Sequence, residues 1–532
     1  MATTPAPARR QTPNLAWTRP EYTDLLVRWN LIRHCVAGSA QVKSKGDVYL
    51  PRPNVSDTSA ENRARYDQYL QRAVFYNVTG RTLKGLVGQV MAEDPVFKVP
   101  AIIEMLEDDI DGGGVSFCQQ VHKTLGLNVA HGRGGLLVDY PNVARAATQA
   151  DLKSGNVRPT ITLVEPWDVI NWRVQHVGGK ARLCLVVIAE QYVTDDDGFQ
   201  QQWEPQWRVL RLDEEGLLVT EEWVKDPNRD NEFILKPLAS DEATAENKGV
   251  AQYAPTDSAG QRLDYVPFTF VGAVNNDPTP DLPPLYDLAE LNVAHYRNSA
   301  DYEEACYIAG QPTPVFAGLT ESWVKDVLKG GVQLGSRGAV PLPEGGSATM
   351  LQAEANGMPK EAMDRKEAQM RSLGAKLLQE TDAQMTATQV NSDRAAETCE
   401  LAMIAHNVSE AYETALGFAL AFVDVKQVPE DGADSDAVEV ELNTNFVANH
   451  LGAQERAQLV AEWQAGAITD EEMRRNMTRA GIASEEFDAW KEAKDEQALT
   501  KPIMAQPSAR GGAPAVDPAT GKPAVPAAGG AS

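Results

Sequence analysis

The sequence predicts an α+β protein, and three observations carry the prediction. Helical periods near both ends flank a central run of short β-rich segments. Apolar residues make up 43% of the chain and charged residues 23%, the balance of a folded protein and not of a fibrous or unstructured one. A length of 532 residues exceeds what one core organises, so two to four cooperating modules are expected.

Residues 1–20 are rich in Pro, Thr and Ala and read as a flexible arm. From Glu21 to Gly38, Leu25, Leu26, Trp29 and Ile32 recur at helical spacing, and Thr58 to Met91 carries Tyr66, Leu70, Val74, Leu83, Leu86, Val87 and Val90 at steps of mostly three and four. Gly80, Gly85 and Gly88 are expected to break or thin that helix where another backbone packs close. Phe117 to Ala130 predicts a further helix, and Gly135 to Asp139 a short apolar strand. The period then changes. Ile161 to Val164, Leu183 to Ala189, Trp207 to Leu212, Leu217 to Trp223 and Phe233 to Lys236 predict an antiparallel meander in one sheet.

Helix returns after the turn-rich Asn275 to Pro280. Leu288, Leu291, His295, Ser299, Tyr302 and Cys306 fall on one stripe of a helix from about Leu285 to Ile308, which Pro312 and Pro314 stop. A Gly- and Pro-rich module follows to Gly357, then a polar helix from Pro359 to Leu378. Leu401, Ile404, Val408, Ala411, Ala415, Phe418 and Phe422 step alternately by three and four, an a/d seam that should pack along another helix for its whole length. A strand at Ala437 to Leu442 and a helical region follow, with Thr469 to Glu472 as a capping box. The residues past Lys501, mostly Ala, Pro and Gly, read as disordered.

Charge and motifs narrow the function. A net charge of −26, from 75 acidic against 49 basic side chains, repels nucleic acid at long range and argues against tight DNA binding, though it allows a duplex to slide past. Five scattered cysteines, Cys35, Cys118, Cys184, Cys306 and Cys399, fit a reducing assembly compartment. The N-terminus lacks the apolar core of a signal peptide, and the longest apolar stretch, Ala415 to Val423, is far below the ~18 residues of a membrane span. No phosphate-binding GxxxxGK[ST] and no HExxH occur, so neither a packaging ATPase nor a zinc site is supported, and no cofactor is expected.

Three motifs invite chemistry and have plainer readings. Glu107 to Gly112 imitates a calcium loop, but Cys118 stands where a bidentate Glu is needed, favouring a solvated acidic loop. Gly132 to Gly135 precedes a strand and reads as a turn before it reads as a phosphate nest. Glu165 and Asp168, near Trp167 and Trp172, could serve a sugar site, but a strand-end corner is the simpler assignment. Lys360, Arg365, Lys366, Arg371 and Lys376 alternate with Glu361, Asp364 and Glu367. They make either a solvated helix face or a set of weak, sequence-blind phosphate contacts.

The strings YLPRPNVSDTSAENRARYDQYLQRAVFYNVTGRTLKGLVGQVMAEDP, GRGGLLVDYP, VPFTFVGAVNND and DLAELNVAHYRNSADYEEACYIAGQPTPVFAG, in this order within residues 20–425, resemble the tailed-phage portal proteins of a family long catalogued as a domain of unknown function. The resemblance implies a non-enzymatic subunit of a ring, usually a dodecamer, at one capsid vertex. It implies a flexible arm at 1–20, a mixed α/β wing with the meander at 21–280 and a first stem helix at 281–311. A small α/β clip at 312–357 and a second stem helix at 358–378 would follow. Beyond them come a channel loop at 379–393, a long wing helix and strand at 394–450, a helical crown at 451–499 and a disordered tail at 500–532.

By the same likeness, Lys360, Arg365, Lys366, Arg371 and Lys376 are DNA-channel candidates. Gln379, Glu380, Thr381, Asp382, Gln384, Thr386 and Asn391 are channel-loop candidates, and Trp323 is a clip-interface candidate, although a buried core Trp is the plainer reading. The implied partners are further copies of the chain, the major capsid and scaffolding proteins, the terminase motor, head-completion or tail-adaptor proteins, and double-stranded DNA held transiently without sequence specificity; no membrane is involved. The expected location is the virion's portal vertex, after assembly in the host cytoplasm. Two other classes compete: another head–tail connector or minor capsid protein, and a carbohydrate-active hydrolase using Glu165 or Asp168.

Overall fold

The computed structural model divides into two units, Met1–Phe446 and Val447–Ser532. It describes residues 14–140, 158–229, 232–238, 247, 249–257, 259–311, 313–327, 341–351, 357–376, 399–423 and 438–444 of the first, and 460, 463, 469 and 472–474 of the second. The fold is α+β, as the periods predict. The arm up to residue 13 and the tail past Lys501 lie outside the described residues.

Helix α1 (Pro20–Ala37) begins on a proline, whose missing N–H costs nothing at a first turn, and ends at Gly38, where φ is 92°. It joins two cores. Tyr22, Leu25 and Trp29 enter a core against the sheets, while Ile32 and Cys35 enter a larger, mainly helical core. The Trp29 indole donates to the His131 carbonyl at 3.0 Å, which satisfies its one polar atom in the interior.

After α2 (Ser39–Ser44), the helical segment expected over Thr58 to Met91 is two helices, α3 (Ala60–Arg72) and α4 (Val78–Val90). The glycines do not make the break. Asn77 caps α4 by accepting from the Gly80 amide at 2.8 Å, and a Cβ on Gly80 would lie 2.9 Å from the Val36 carbonyl. Gly85 and Gly88 face open space, so the close approach expected of all three holds only at Gly80.

Strand β1 (Val96–Lys98) leads to α5 (Phe117–His131), which starts in a capping box of Ser116 and Gln119. Gly132 then ends α5 in the left-handed region, at φ 68°, and a Cβ there would stand 2.8 Å from the Leu282 carbonyl. The chain passes directly into β2 (Arg133–Asp139), buried along nearly its whole length. Because both faces of β2 are covered, it takes the centre of a sheet and needs a partner on each side. One is β3 (Thr160–Val164), which the sequence assigned to the meander.

The meander instead starts one strand later, with β4 (Val169–Val177), β5 (Lys180–Asp196), β6 (Gln201–Leu212), β7 (Leu218–Lys225) and β8 (Phe233–Leu235); the short β9 (Gln252–Tyr253) pairs with β7. The other partner of β2 is β10 (Phe268–Gly272), so two sheets replace the single one expected. Gly135 lies under the Phe268 ring, 2.3 Å from where a Cβ would be, and so keeps that pair closely packed.

Helix α6 (Tyr286–Ala309), strand β11 (Thr313–Ala317), helix α7 (Glu321–Asp326), strand β12 (Ser347–Leu351) and helix α8 (Met358–Lys376) follow. Helix α9 (Glu400–Val423) packs on β10, β2 and α5, and not along a single helix as its a/d seam predicted. Its burial spreads around the axis because it has partners on several sides: Ala402, Ala405, Tyr412, Leu416, Ala419 and Leu420 are buried along with Leu401 and Val408, while Phe418 and Phe422 are only half-buried. The Tyr412 hydroxyl meets Thr124 Oγ1 at 2.8 Å and donates to Gln120 Oε1 at 3.1 Å, so α5 and α9 are pinned by polar contacts inside the core. Strand β13 (Glu439–Glu441), within the strand predicted at Ala437 to Leu442, pairs with β1. In the second unit, Thr469 and Glu472 form the predicted box: the Glu472 amide donates to Thr469 Oγ1 at 3.1 Å and the Thr469 amide to Glu472 Oε2 at 2.9 Å.

Candidate functional site

The sequence from Leu285 to Lys376 makes a long antiparallel helix pair with a two-stranded ribbon at its end. Helix α6 has 24 residues, about 36 Å of rise at about 1.5 Å per residue. Its burial ends at Ala300, so the predicted stripe divides. Leu288, His295 and Ser299 are buried, Leu291 and Tyr302 half-buried, and Cys306 exposed. Strand β11 pairs with β12 from Thr313↔Leu351 to Ala317↔Ser347, and every residue of β12 is exposed.

Helix α8 returns along α6. Met370 is fully buried, and a Cβ on Gly374 would come 3.2 Å from Thr82 of α4, which places the C-terminal end of α8 against the helical core and its N-terminal end toward the ribbon. Between the two helices an open groove of about 590 Å³ is lined by Glu290, Ala294 and Arg297 on one side and Gln369, Ser372 and Leu373 on the other.

The five nominated bases do not share a face. At 3.6 residues per turn Lys360 and Arg371 project to one side of α8, Arg365 to the other, and Lys366 toward α6. Lys360, Arg365 and Arg371 are exposed and Lys366 is half-buried. Arg371 is held by Glu367 Oε2 at 3.2 Å, one turn back, and the other oxygen of Glu367 stands 3.5 Å from His295 Nε2. Burial holds the His295 imidazole below its ordinary value against the pull of Glu367. Lys360 and Arg365 have no ion pair among the described residues. Lys376 lies in the last turn of α8. Gln379, Glu380, Thr381, Asp382, Gln384, Thr386 and Asn391 lie outside the described residues.

Trp323 is half-buried on α7, not a core residue, and its indole N–H reaches the Pro341 carbonyl at 3.4 Å. Two carboxylates of the acidic loop, Asp109 and Asp111, bond the loop's own backbone. Asp109 accepts from the amides of Gly112 and Gly114, both at 2.9 Å, and pairs with Arg158, while Asp111 accepts from Gly113 at 2.8 Å. Arg133, in the Gly-rich turn, is buried with its guanidinium 4.0 Å from the Phe270 centroid and 4.5 Å from that of Trp172, donating to the Pro278 carbonyl at 3.1 Å. It stitches the two sheets together and does not face solvent.

Glu165 and Asp168 stand at the corner between β3 and β4. The Asp168 amide donates to the Glu165 carbonyl at 3.0 Å, and Glu165 pairs with Lys123 at 3.0 Å. Burial, with Glu165 and Glu190 nearby, pushes the Asp168 carboxyl up to about 6. Among the described residues, no group of three His, Cys, Asp or Glu side chains is placed to hold a metal ion.

One feature of the surface escaped the sequence reading: the outer part of the β5–β6 hairpin, where Phe199 is 99% exposed and Trp203 55%. The available signal was the Asp195-Asp196-Asp197-Gly198 turn between two β-rich runs, with aromatic residues on both strands and no core left to receive them.

Residues 284–423 match a family described as Domain of unknown function (DUF4055), a span that opens just before α6 and closes at the last residue of α9. No curated protein matches the chain. Among solved structures, the chain is similar to one in the virion of a native gene transfer agent (GTA) particle, at 12% identity and a TM-score of 0.37, over 83% of this chain and 98% of that one. It is similar to one in the neck of an empty GTA particle computed with C6 symmetry, at 12% identity and 0.36, over 77% and 90%. A third likeness is to the neck of a native GTA particle computed with C12 symmetry, at 14% identity and 0.35, over 75% and 88%.

Proposed function

We propose that the chain is a structural subunit of a phage head or neck and, more specifically, a portal subunit that closes a ring around the path of double-stranded DNA. The observation that carries this reading is the outer end of the α6–ribbon–α8 unit. Tyr307 and Ile308 in the last turn of α6, Val315, Met350 and Leu351 on the two-stranded ribbon and Met358 at the start of α8 are all exposed large apolar residues there. Two strands alone are marginal in water, and clustered apolar exposure marks a surface that another protein covers. Side-by-side packing of identical rods covers it head to tail, and a head-to-tail contact with the right rotation closes a ring.

In such a ring the helix pair is the stem and the ribbon with α7 the clip, where Trp323 gives the motor or a later adaptor an aromatic to grip. Among the described side chains, Lys360 and Arg365 are the bases free to meet phosphate. Arg371 is occupied by Glu367, and Lys366 is turned toward α6. Sparse bases on a chain of net charge −26 centre a duplex without arresting it. Residues 379–393, between α8 and α9, would form the channel loop. The protein works by assembly and has no catalysis of its own. Negative-stain images of the purified chain test this: annular particles with a central hole are the expected result, and uniformly monomeric particles refute it.

A further inference from the structure

We propose that the hairpin arm Gln191–Pro205 is an assembly latch, which seats Phe199 and Trp203 on the N-terminal helices, residues 20–90, of a second copy of the chain. This rests on the ring reading and adds to it a named contact. Strands β5 and β6 pair from Leu185↔Arg211 to Asp196↔Gln201, but their neighbours stop short. Pairing with β4 reaches only Ile188, and pairing with β7 begins at Gln206. Inside that limit Val186, Val187, Ile188, Trp207, Val209 and Leu210 are buried; outside it nearly every residue of both strands is exposed. Beyond Tyr192, whose ring lies under Lys236 Nζ at 4.5 Å, a two-stranded ribbon therefore stands out from the described part of the sheet, with Trp203 directly across from Val193, itself 37% exposed, and Phe199 at the tip.

The tip has a defined shape. Asp197 accepts from the amides of Phe199 and Gln200 at 2.8 and 2.6 Å, and Asp196 from that of Gly198 at 2.8 Å, where φ is 86°. An ordered turn that holds a Phe fully in water gains nothing from the described residues of its own chain, none of which covers that ring. The contact that repays it is with another molecule.

Charge selects the partner. The arm carries Asp195, Asp196, Asp197 and Glu204 and no Lys or Arg, so DNA and anionic lipid repel it. The complement is basic with apolar residues interspersed. In a chain of net charge −26, residues 20–90 go the other way, with ten Lys and Arg against six Asp and Glu. That segment exposes Val27, Val55, Val74 and Tyr76, and its exposed bases include Arg63, Arg65, Arg81 and Lys84. Arm and receiving surface are different parts of one chain, so the contact is heterologous and repeats around a ring.

The test uses the full-length chain with p-benzoylphenylalanine at position 199, an aromatic replacement that leaves the turn intact. Isotopically light and heavy copies are mixed, assembled, irradiated and mapped by mass spectrometry. Light-to-heavy cross-links from position 199 into residues 20–90 are expected. In parallel, Phe199→Asp should raise the concentration for half-assembly at least tenfold. Asp195→Lys with Glu204→Lys should do the same, and adding Arg63→Glu and Arg81→Glu should restore assembly. Rings that form normally while position 199 cross-links elsewhere or not at all overturn the latch and leave the ring standing. A chain that assembles no ring in any form overturns both.

Discussion

Asp168→Asn should make the protein more stable at neutral pH. In the folded chain burial, then Glu165, then Glu190, raise the carboxyl from 3.8 to about 6. A group whose folded value lies above its unfolded one contributes its stability fully below the unfolded value, here 3.8, and loses it as pH rises through about 6. A shift of this size corresponds to at most about 3 kcal/mol, and because Asp168 is only partly buried, solvent screening reduces it to about 1–2 kcal/mol. Asn keeps the shape and does not titrate, so the variant-minus-wild-type difference in unfolding free energy should climb by that amount between pH 4 and 6 and stay level above. Urea denaturation of both proteins at half-unit pH steps measures it. A difference flat across that window would refute the account of the corner, and a falling one would give it the wrong sign.

Tyr412→Phe removes a hydroxyl bonded to Thr124 and Gln120 in the core and should cost about 1–3 kcal/mol by the same denaturation assay, because Gln120 Oε1 loses a buried donor. Met370→Ala empties a fully buried position between α8 and the helical core; a loss of about 2–5 kcal/mol is expected, with hydrogen exchange accelerated in α8. Replacing Lys360 and Arg365 with Ala should change stability by no more than about 0.5 kcal/mol, since both are exposed, but should flatten the salt dependence of duplex retention by assembled particles, measured by filter binding across a salt series.

Elements with one wet face were readable from the sequence, because spacing reports directly on which residues meet water. Helix α1 and the start of α6 lie where Trp29, Ile32, Leu288 and His295 placed them. Strand β4 was not readable: register shifts at Val169/Asn171 and Arg173/Val174 break the two-residue alternation that would have announced it. For α9, the a/d seam was a true subset of a wider pattern, and a sheet on one side with α5 on another buries residues that a two-helix contact would leave wet. The pairing of β1 with β13 joins segments far apart in the chain, and no local signal encodes it.

At the candidate site, the two helices flanking a small insertion were legible from Pro312, Pro314 and the two helical periods, but the two-stranded ribbon inside that insertion was not. The sorting of the five bases was not, because it depends on which side of α8 meets α6. The hairpin arm escaped for a related reason: alternation says which faces differ, but not where the neighbouring strands stop.

On the ring reading, this chain completes its surface only against copies of itself. Multi-angle light scattering of the purified full-length protein across a concentration series tests it most directly. A single species about an order of magnitude heavier than one chain, reached without intermediates, is the predicted result; a mass equal to one chain at every concentration would contradict it.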